Sequence, residues 1–282
     1  MQAILKKNDF MSTFWQRLLS GVVYVGLVIA SILVSPLFFG VLFGLLTMLA
    51  VREYHRLVGS HPLTTIGATL AGGYLFATLW CFFQVQTLNV AEFAFMQCAY
   101  VGLITLLLLA ELWLKAQDPV RNWGNILISQ MMIAFPFACM NLILDESKYL
   151  LLILFITTWL NDTGAYCIGC LTAKRKNGNH KMFPRVSPKK SWEGLIGGFF
   201  FALLGGCIYF WAGWVDSLPK ALVLALVIAV AGTFGDLMES LLKRSVGVKD
   251  SGRFMPGHGG VLDRFDSILL ATPAMALLLV LF

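Results

Sequence analysis

The sequence predicts an all-α polytopic membrane protein with about nine transmembrane helices, a cytoplasmic N-terminus and a polar, cytoplasm-facing cavity in the C-terminal half. The 282 residues are 58% hydrophobic and only 13% charged, whereas soluble domains are about 45–50% apolar. Apolar runs of about 17–25 residues, long enough to cross a bilayer, recur from one end of the chain to the other. Lys and Arg residues concentrate in every second connecting segment, as in the cytoplasmic loops of membrane proteins.

Nine apolar runs define the predicted spans, which are separated by charged residues, glycine and proline. We expect one integral membrane domain over residues 1–282, in which residues 1–145 mainly form a scaffold and residues 149–282 form the catalytic half. No polar stretch is long enough to form a separate soluble domain. The predicted spans are Leu18–Val34, Pro36–Val51, Leu63–Phe83, Phe93–Leu114, Ile126–Leu144, Tyr149–Cys170, Leu195–Val215, Leu218–Leu237 and Ser267–Phe282.

The positions of the basic residues predict the topology. Of the 21 Lys and Arg residues, only Lys148 and Lys220 fall in segments predicted to face outward. This asymmetry explains the net charge of +6 without a nucleic-acid partner, and it places both charge-rich segments on the cytoplasmic side. The charged residues that close the second span are interpreted as interfacial anchors and not as ligands; they are Arg52, Glu53, His55 and Arg56.

The end of the sixth span and the loop after it form the first candidate region. Asp162 lies in an apolar helix, where a charged side chain is costly and therefore suggests a function. The alternative is a structural hydrogen bond to a neighbouring helix. The loop ends in a Ser-Pro turn followed by Lys189, Lys190 and Ser191, whose charges suit a phosphate group, although its basic residues could instead set the topology or touch anionic lipid. The glycines that follow predict close helix packing; they are Gly194, Gly197 and Gly198.

The second candidate region runs from Gly235 to Asp266. Asp236 and Glu239 are three residues apart, so on a helix they share one face, which Lys243 continues. Carboxylates in clusters suit a hard cation such as Mg²⁺, and neighbouring basic groups suit phosphate oxygens. The simpler alternative is a solvated basic loop between two helices.

A second acidic pair, Asp263 and Asp266, brackets Arg264, and glycines precede it. Gly259 and Gly260 would let the backbone approach a ligand closely. The irregular backbone between the two acidic pairs is tolerated at membrane depth only if it is buried in protein or lines a wet cavity. The region therefore predicts a polar cavity.

These residues resemble a known signature. The series is similar to the signature of phosphatidate cytidylyltransferases (CDP-diacylglycerol synthases). It reads Ser240-x-Leu242-Lys243-Arg244, then Lys249-Asp250-x-Gly252, then Pro256-Gly257-His258-Gly259-Gly260-Val261-x-Asp263-Arg264-Phe265-Asp266. Gly235-Asp236, Asn161-Asp162-Thr163-Gly164 and Ser187-Pro188-Lys189-Lys190 also resemble this family. The matches cover the region from about Trp159 to Asp266, and the length resembles the bacterial members.

The resemblance implies a nucleotidyltransferase of a bacterial inner (plasma) membrane that converts CTP and phosphatidate into CDP-diacylglycerol and pyrophosphate. It implies Mg²⁺ as cofactor, with a second cation beside it as an alternative, and a homodimer as a possible assembly. The implied catalytic residues are Asp236, Asp263, Asp266 and Lys243, and the implied metal ligands are Asp236, Asp263 and Glu239. The implied substrate-binding residues are Asp162, Lys189, Ser191, Arg244, Lys249, Asp250, His258, Gly259, Gly260 and Arg264.

Two other functions compete with this interpretation. CDP-alcohol phosphotransferases also span membranes and use clustered aspartates, but their aspartates lie in one compact motif. A cation-coupled transporter would use intramembrane acids and broken helices. Inverted sequence repeats in the two halves of the chain would support a transporter. Here the halves show no convincing similarity, and the polar residues concentrate in the second half.

Overall fold

The computed structural model describes residues 2–114, 118–174, 178–252, 254 and 259–281, with side chains from residue 18 onward. Ten α-helices make up most of the described chain. They are α1 (Gln2–Val34), α2 (Pro36–Leu57), α3 (Pro62–Trp80), α4 (Val90–Leu114), α5 (Pro119–Ser129), α6 (Phe135–Glu146), α7 (Lys148–Ala173), α8 (Trp192–Trp211), α9 (Leu218–Ser245) and α10 (Leu262–Leu281).

The predicted all-α polytopic membrane fold is confirmed. Within the described chain, eight helical segments are long and apolar enough to cross a membrane, and Leu18–Val34 is a shorter apolar helical stretch. Each of the nine predicted spans overlaps one of these segments. One of them, Pro119–Glu146, consists of α5 and α6 joined by a π-helical turn at Gln130–Ala134. A second π-helical turn, Cys81–Val85, extends α3.

Local sequence sets where several helices begin. The Ser35 hydroxyl accepts a hydrogen bond from the Phe38 backbone N–H at 3.1 Å, and the Asp118 carboxylate accepts one from Arg121 at 3.0 Å. Ser191 caps α8 in the same way, accepting from the Gly194 N–H at 3.1 Å. Such caps satisfy backbone donors that have no partner within the helix.

One feature of the chain departs from the sequence prediction. A short antiparallel hairpin of β1 (Lys181–Phe183) and β2 (Ser187–Ser191) occupies the basic loop, where no strand was predicted and where Ser187-Pro188 was expected to form a turn. Helix α9 extends beyond the apolar span to Ser245, as the predicted helical face of Asp236, Glu239 and Lys243 requires.

One hydrophobic core includes residues from both halves of the chain. Phe265, at the start of α10, lies at its centre and is 1% exposed. Its ring centroid is 5.1 Å from that of Phe137 and 6.1 Å from that of Phe43, and it also packs edge-on against Tyr24 at 5.6 Å. The first spans therefore hold Phe265, one of the two residues between Asp263 and Asp266.

Glycines allow α7 and α8 to approach closely, as the sequence predicted. A Cβ at Gly198 would lie 2.8 Å from the Asn161 backbone oxygen, and one at Gly194 would lie 2.9 Å from the Ala165 oxygen. Because these glycines are buried against α7 of the same chain, the glycine-rich face of α8 is not free to pair with a second copy.

We expect Gly198→Ala to destabilise the protein by about 1–3 kcal/mol, because the added methyl group meets backbone that cannot rotate away. The measurement is thermal unfolding of purified protein in detergent. Gly102→Ala on α4 is the matched control, since a Cβ there meets nothing within 4 Å. Equal unfolding temperatures for the two variants would contradict the close packing of α7 and α8.

Candidate active site

Five helix ends and the hairpin meet at one end of the bundle. They are the C-terminal ends of α2, α7 and α9 and the N-terminal ends of α8 and α10. Because successive spans cross in opposite directions, these ends share one side of the membrane with the N-terminus of α1. The positive-inside pattern predicts that this side is the cytoplasmic one.

A cavity of about 540 Å³ lies between α7, the hairpin and the middle of α9. Its polar lining includes Asp162, Lys189 and Asp236, all predicted as site residues. Asp162 and Lys189 expose their side chains, whereas Ser191 is 4% exposed because it caps α8. Asn161, the neighbour of Asp162, donates a hydrogen bond to the Thr233 hydroxyl at 3.2 Å and so joins α7 to α9.

Lys190 and Asp236 form the ion pair at the wall of this cavity. The Lys190 Nζ lies 2.8 Å from Asp236 Oδ2 and also donates to the Thr233 backbone oxygen at 3.2 Å. The Ser240 hydroxyl donates to the other carboxylate oxygen of Asp236 at 3.2 Å. The sequence predicted Lys190 only as a general phosphate-binding charge, because no sequence pattern shows which lysine faces α9.

Lys243 lies between two carboxylates at the α9–α10 interface. Its Nζ forms an ion pair with Glu239 on the preceding turn of α9 and donates to Asp263 Oδ1 at 2.6 Å. All three side chains are largely buried, with 10%, 2% and 7% exposure for Lys243, Glu239 and Asp263. The predicted common face of Asp236, Glu239 and Lys243 is therefore present on α9.

The second oxygen of Asp263 organises the turn before α10. Asp263 Oδ2 accepts hydrogen bonds from the Ser251 N–H at 2.8 Å, the Ser251 hydroxyl at 2.9 Å and the Gly260 N–H at 2.8 Å. Gly259 has φ +86°, and a Cβ there would lie 2.5 Å from Asp263 Oδ2. The glycines thus make room for this carboxylate; their predicted contact with the nucleotide stays a prediction.

Glu53 of α2 also binds this turn, so its interpretation as an interfacial anchor was wrong. Its carboxylate accepts hydrogen bonds from the Val261 N–H at 2.9 Å and the Leu262 N–H at 3.1 Å. Its Oε1 also lies against the Ser251 hydroxyl, whose single proton it shares with Asp263 Oδ2. His55 is also buried, with hydrogen bonds to Ser60 and Ser129 at 2.9 and 3.0 Å. Each pairing joins distant parts of the chain or depends on packing, which a single sequence does not reveal.

Several acidic groups of the site crowd together. The charge of Asp266 is close enough to interact with those of Asp236, Glu239 and Asp162. One oxygen of Glu239, Oε1, is buried without a hydrogen-bond partner in the described chain. The Nε of Arg264 is likewise buried and unpartnered among the described residues, and its charge interacts with that of Asp162.

This crowding fits a cation in its chemistry, because clustered carboxylates with an unsatisfied oxygen suit a hard divalent ion. The side chains are not arranged for one as they stand. Across the residues with described side chains, no three His, Cys, Asp or Glu groups converge in a way that could hold a metal ion. Asp236 and Asp263 are occupied by Lys190 and Lys243 instead.

Of the remaining predicted residues, Arg244, Lys249 and Asp250 do not line the polar cavity. Arg244 donates hydrogen bonds to the backbone oxygens of Val186 and Val248, at 3.5 and 2.9 Å, and so links α9 to the hairpin. Lys249 and Asp250 are exposed at the surface. His258 lies outside the described residues.

An apolar groove of about 380 Å³ lies against a different face of α9 from the polar cavity. It is lined by α2, the α5–α6 span, α9 and α10, including Tyr54, Leu241 and Leu270. Glu239 also lines it. The charged residues of α9 therefore stand between a polar cavity and a groove with apolar walls.

The fold and the site together define a polytopic membrane protein with clustered lysines and carboxylates at the ends of its spans. The profile of the cytidylyltransferase family matches residues 15–282, so the chain belongs to that family. It is 32% identical to the phosphatidate cytidylyltransferase of Bacillus subtilis over 277 residues, which cover 95% of this chain and 98% of that protein.

Proteins of the same name from two staphylococci match a shorter stretch. That of Staphylococcus aureus is 43% identical over 141 residues, and that of Staphylococcus saprophyticus is 40% identical over 137 residues. Each alignment covers 48% of this chain and 51% of the relative, so the match spans about half the length of these proteins.

We expect Lys243→Met to lower the free energy of unfolding by about 3–5 kcal/mol, because it leaves two buried carboxylates without their cation. Thermal unfolding in detergent measures the change. Lys189→Met, which removes an exposed charge of the hairpin, should leave stability nearly unchanged. Adding Glu239→Gln to Lys243→Met should restore part of the loss; no restoration would show that Lys243 does not act by neutralising Glu239.

Proposed function

We propose that this protein is a phosphatidate cytidylyltransferase of a bacterial plasma membrane, which converts CTP and phosphatidate into CDP-diacylglycerol and pyrophosphate. The observation that carries the proposal is the lysine–carboxylate cluster of Lys243, Glu239 and Asp263 on α9 and α10. It lies at the same end of the bundle as the polar cavity that Asp162, Lys189 and Asp236 line. Membership of the cytidylyltransferase family and the names of the relatives support the same activity.

In the proposed reaction, an oxygen of the lipid phosphate attacks the α-phosphorus of CTP. The bond from that phosphorus to the oxygen bridging to the β-phosphate breaks, and pyrophosphate leaves. Both reactants are anionic, so neutralising and aligning their phosphates supplies most of the catalysis. A phosphate that is already ionised needs no general base, and no covalent intermediate with the protein is required.

Basic side chains of the site would bind the phosphates. Lys189 is exposed in the cavity, and the Nε of Arg264 is buried without a partner among the described residues. Lys190 and Lys243 now pair with Asp236 and Asp263, and we propose that they turn to phosphate oxygens when the substrates bind.

The carboxylates released in this way would hold Mg²⁺. Asp236, Asp263 and Glu239 are the proposed ligands, and Asp266 is a further acid beside them. A site with a second cation beside Mg²⁺ is the alternative to a site with Mg²⁺ alone. The unpartnered oxygen of Glu239 supports this assignment. Bound there, the cation would supply positive charge to the reacting phosphates.

The apolar groove beside α9 suits an acyl chain of phosphatidate. Its walls are side chains of membrane-spanning helices, and Glu239 joins it to the Lys243 cluster. A lipid lying in the groove could bring its phosphate to α9 while CTP occupies the polar cavity. The bilayer is thus both the location of the protein and the source of one substrate.

A homodimer would need a surface other than the glycine-rich face of α8, which is buried against α7, and crosslinking in membranes would test for it.

We expect purified protein in detergent to release pyrophosphate only when CTP, phosphatidate and Mg²⁺ are all present. Asp236→Asn and Asp263→Asn should each lower kcat by at least about 100-fold, the scale of losing a charge that stabilises the transition state. Pyrophosphate is measured against reactions that lack each component.

Asp145→Asn, which changes an exposed aspartate at the end of α6, is the matched control and should keep full activity. Folded protein that releases no pyrophosphate across several lipids and divalent cations would overturn the proposed function. Turnover of CDP-diacylglycerol without CTP would indicate a CDP-alcohol phosphotransferase, and substrate flux without turnover would indicate a transporter.

We expect Leu241→Trp to raise the KM for phosphatidate by about 10-fold and to leave the KM for CTP unchanged, because an indole would occupy the groove and displace apolar contact with the lipid. Steady-state kinetics in mixed micelles measures both constants. Leu226→Trp is the control on the same helix: Leu226 is 40% exposed, close to the 46% of Leu241, but does not line the groove. Equal effects of the two variants would argue against an acyl site in the groove.

A further inference from the structure

Glu53 makes a set of contacts that none of its neighbours on α2 shares. Both carboxylate oxygens contact the turn between α9 and α10, whose contacting residues come 198 to 209 positions later in the sequence. The Glu53 carboxylate accepts hydrogen bonds from the backbone N–H groups of Val261 and Leu262, and it lies against the hydroxyl of Ser251. One side chain of the first half of the chain therefore fastens the segment that carries Asp263.

We propose that Glu53 is a positioning residue for the cytidylyltransferase reaction. It caps the start of α10 from a different helix and thereby sets the place of Asp263 and, through it, of Lys243. This inference rests on the proposed function, and it assigns a role to a residue outside the signature of the C-terminal half.

The capping geometry explains why a carboxylate is needed here. The first N–H groups of a helix have no partner within the helix, and a negative charge near them is favourable. Val261 and Leu262 supply these donors at 2.9 and 3.1 Å, and Leu262 begins α10. Asp263 is the next residue, so the cap holds the backbone immediately before it.

Ser251 connects the two carboxylates. Its hydroxyl lies against Glu53 Oε1 and 2.9 Å from Asp263 Oδ2, while its N–H donates to Asp263 at 2.8 Å. Asp263 in turn binds Lys243 at 2.6 Å. The contacts thus run without a break from Glu53 to the lysine proposed to bind phosphate.

The glycines of the turn are matched to this carboxylate. A Cβ at Gly252 would lie 2.7 Å from Glu53 Oε2, and one at Gly260 would overlap Glu53 Oε1 and the Ser251 hydroxyl. A backbone that wraps a carboxylate this closely requires residues without a side chain. The Glu53 carboxylate therefore fits between Gly252 and Gly260, and a side chain at either position would displace it.

The test replaces Glu53 by Gln, which keeps the shape but turns one acceptor into a donor facing backbone N–H groups. We expect kcat to fall about 10- to 100-fold, the loss that one or two hydrogen bonds to a charged acceptor carry. The KM values for CTP and phosphatidate should change by less than about threefold, since the Glu53 side chain lines neither the polar cavity nor the apolar groove. Glu146→Gln, an exposed glutamate at the end of α6, is the matched control.

A second readout does not depend on activity. Amide hydrogen exchange of the peptide containing Val261 and Leu262 should become faster in Glu53→Gln, while exchange in α7 and α8 stays as in the wild type. Unchanged exchange together with an unchanged kcat would overturn the inference. An equal rise in both KM values at constant kcat would also overturn it, because Glu53 would then affect substrate binding and not the reacting geometry.

Gly252→Ala is the second variant, and it decides the question if Glu53→Gln does not fold. It keeps every functional group but pushes the Glu53 carboxylate away from the turn. We expect it to lower kcat in the same direction, and an unchanged kcat would overturn the inference. Wild-type protein that lacks pyrophosphate release would instead refute the proposed function, so the two failures are distinguishable.

Discussion

The placement of Lys243 between Glu239 and Asp263 is the interaction on which the rest of the site depends. Two carboxylates at the interface of α9 and α10, each less than a tenth exposed, are tolerated because one ammonium group lies between them. The pairing lets α9 continue through a charged stretch in a protein built from apolar spans. It also brings the two acidic segments together, although they are separated in the sequence by an irregular loop.

In the same arrangement, the lysines that would bind phosphate are already paired with carboxylates of the protein. Lys190 and Lys243 are neutralised by acids of the protein, so an anionic substrate would meet cations that already have partners. Binding of phosphates would then have to compete with these ion pairs, and a cation held by the acids would favour the exchange. If the site accepts two anions, as proposed, such an exchange would keep charges of opposite sign paired both before and after binding.

The two halves of the chain are joined at the site by packing and by hydrogen bonds. Phe265 is surrounded by aromatic rings of the first half, and Glu53 of α2 caps the helix to which Phe265 belongs. One residue of the first spans, which are predicted mainly to form a scaffold, thus binds the turn that holds Asp263. Membership of the cytidylyltransferase family extends over residues 15–282 and includes these spans.

The sequence by itself determined the membrane class, the positions of the apolar helical segments, the close packing of α7 and α8, and the common face of Asp236, Glu239 and Lys243. These follow from apolar length, glycine spacing and helical period, which are local properties. Only the tertiary structure decided that Lys190 pairs with Asp236, that a hairpin lines the cavity and that Glu53 is part of the site. Such pairings join residues up to about two hundred positions apart, and hydrophobic pattern carries no information about them because many charged residues could occupy the same end of the bundle.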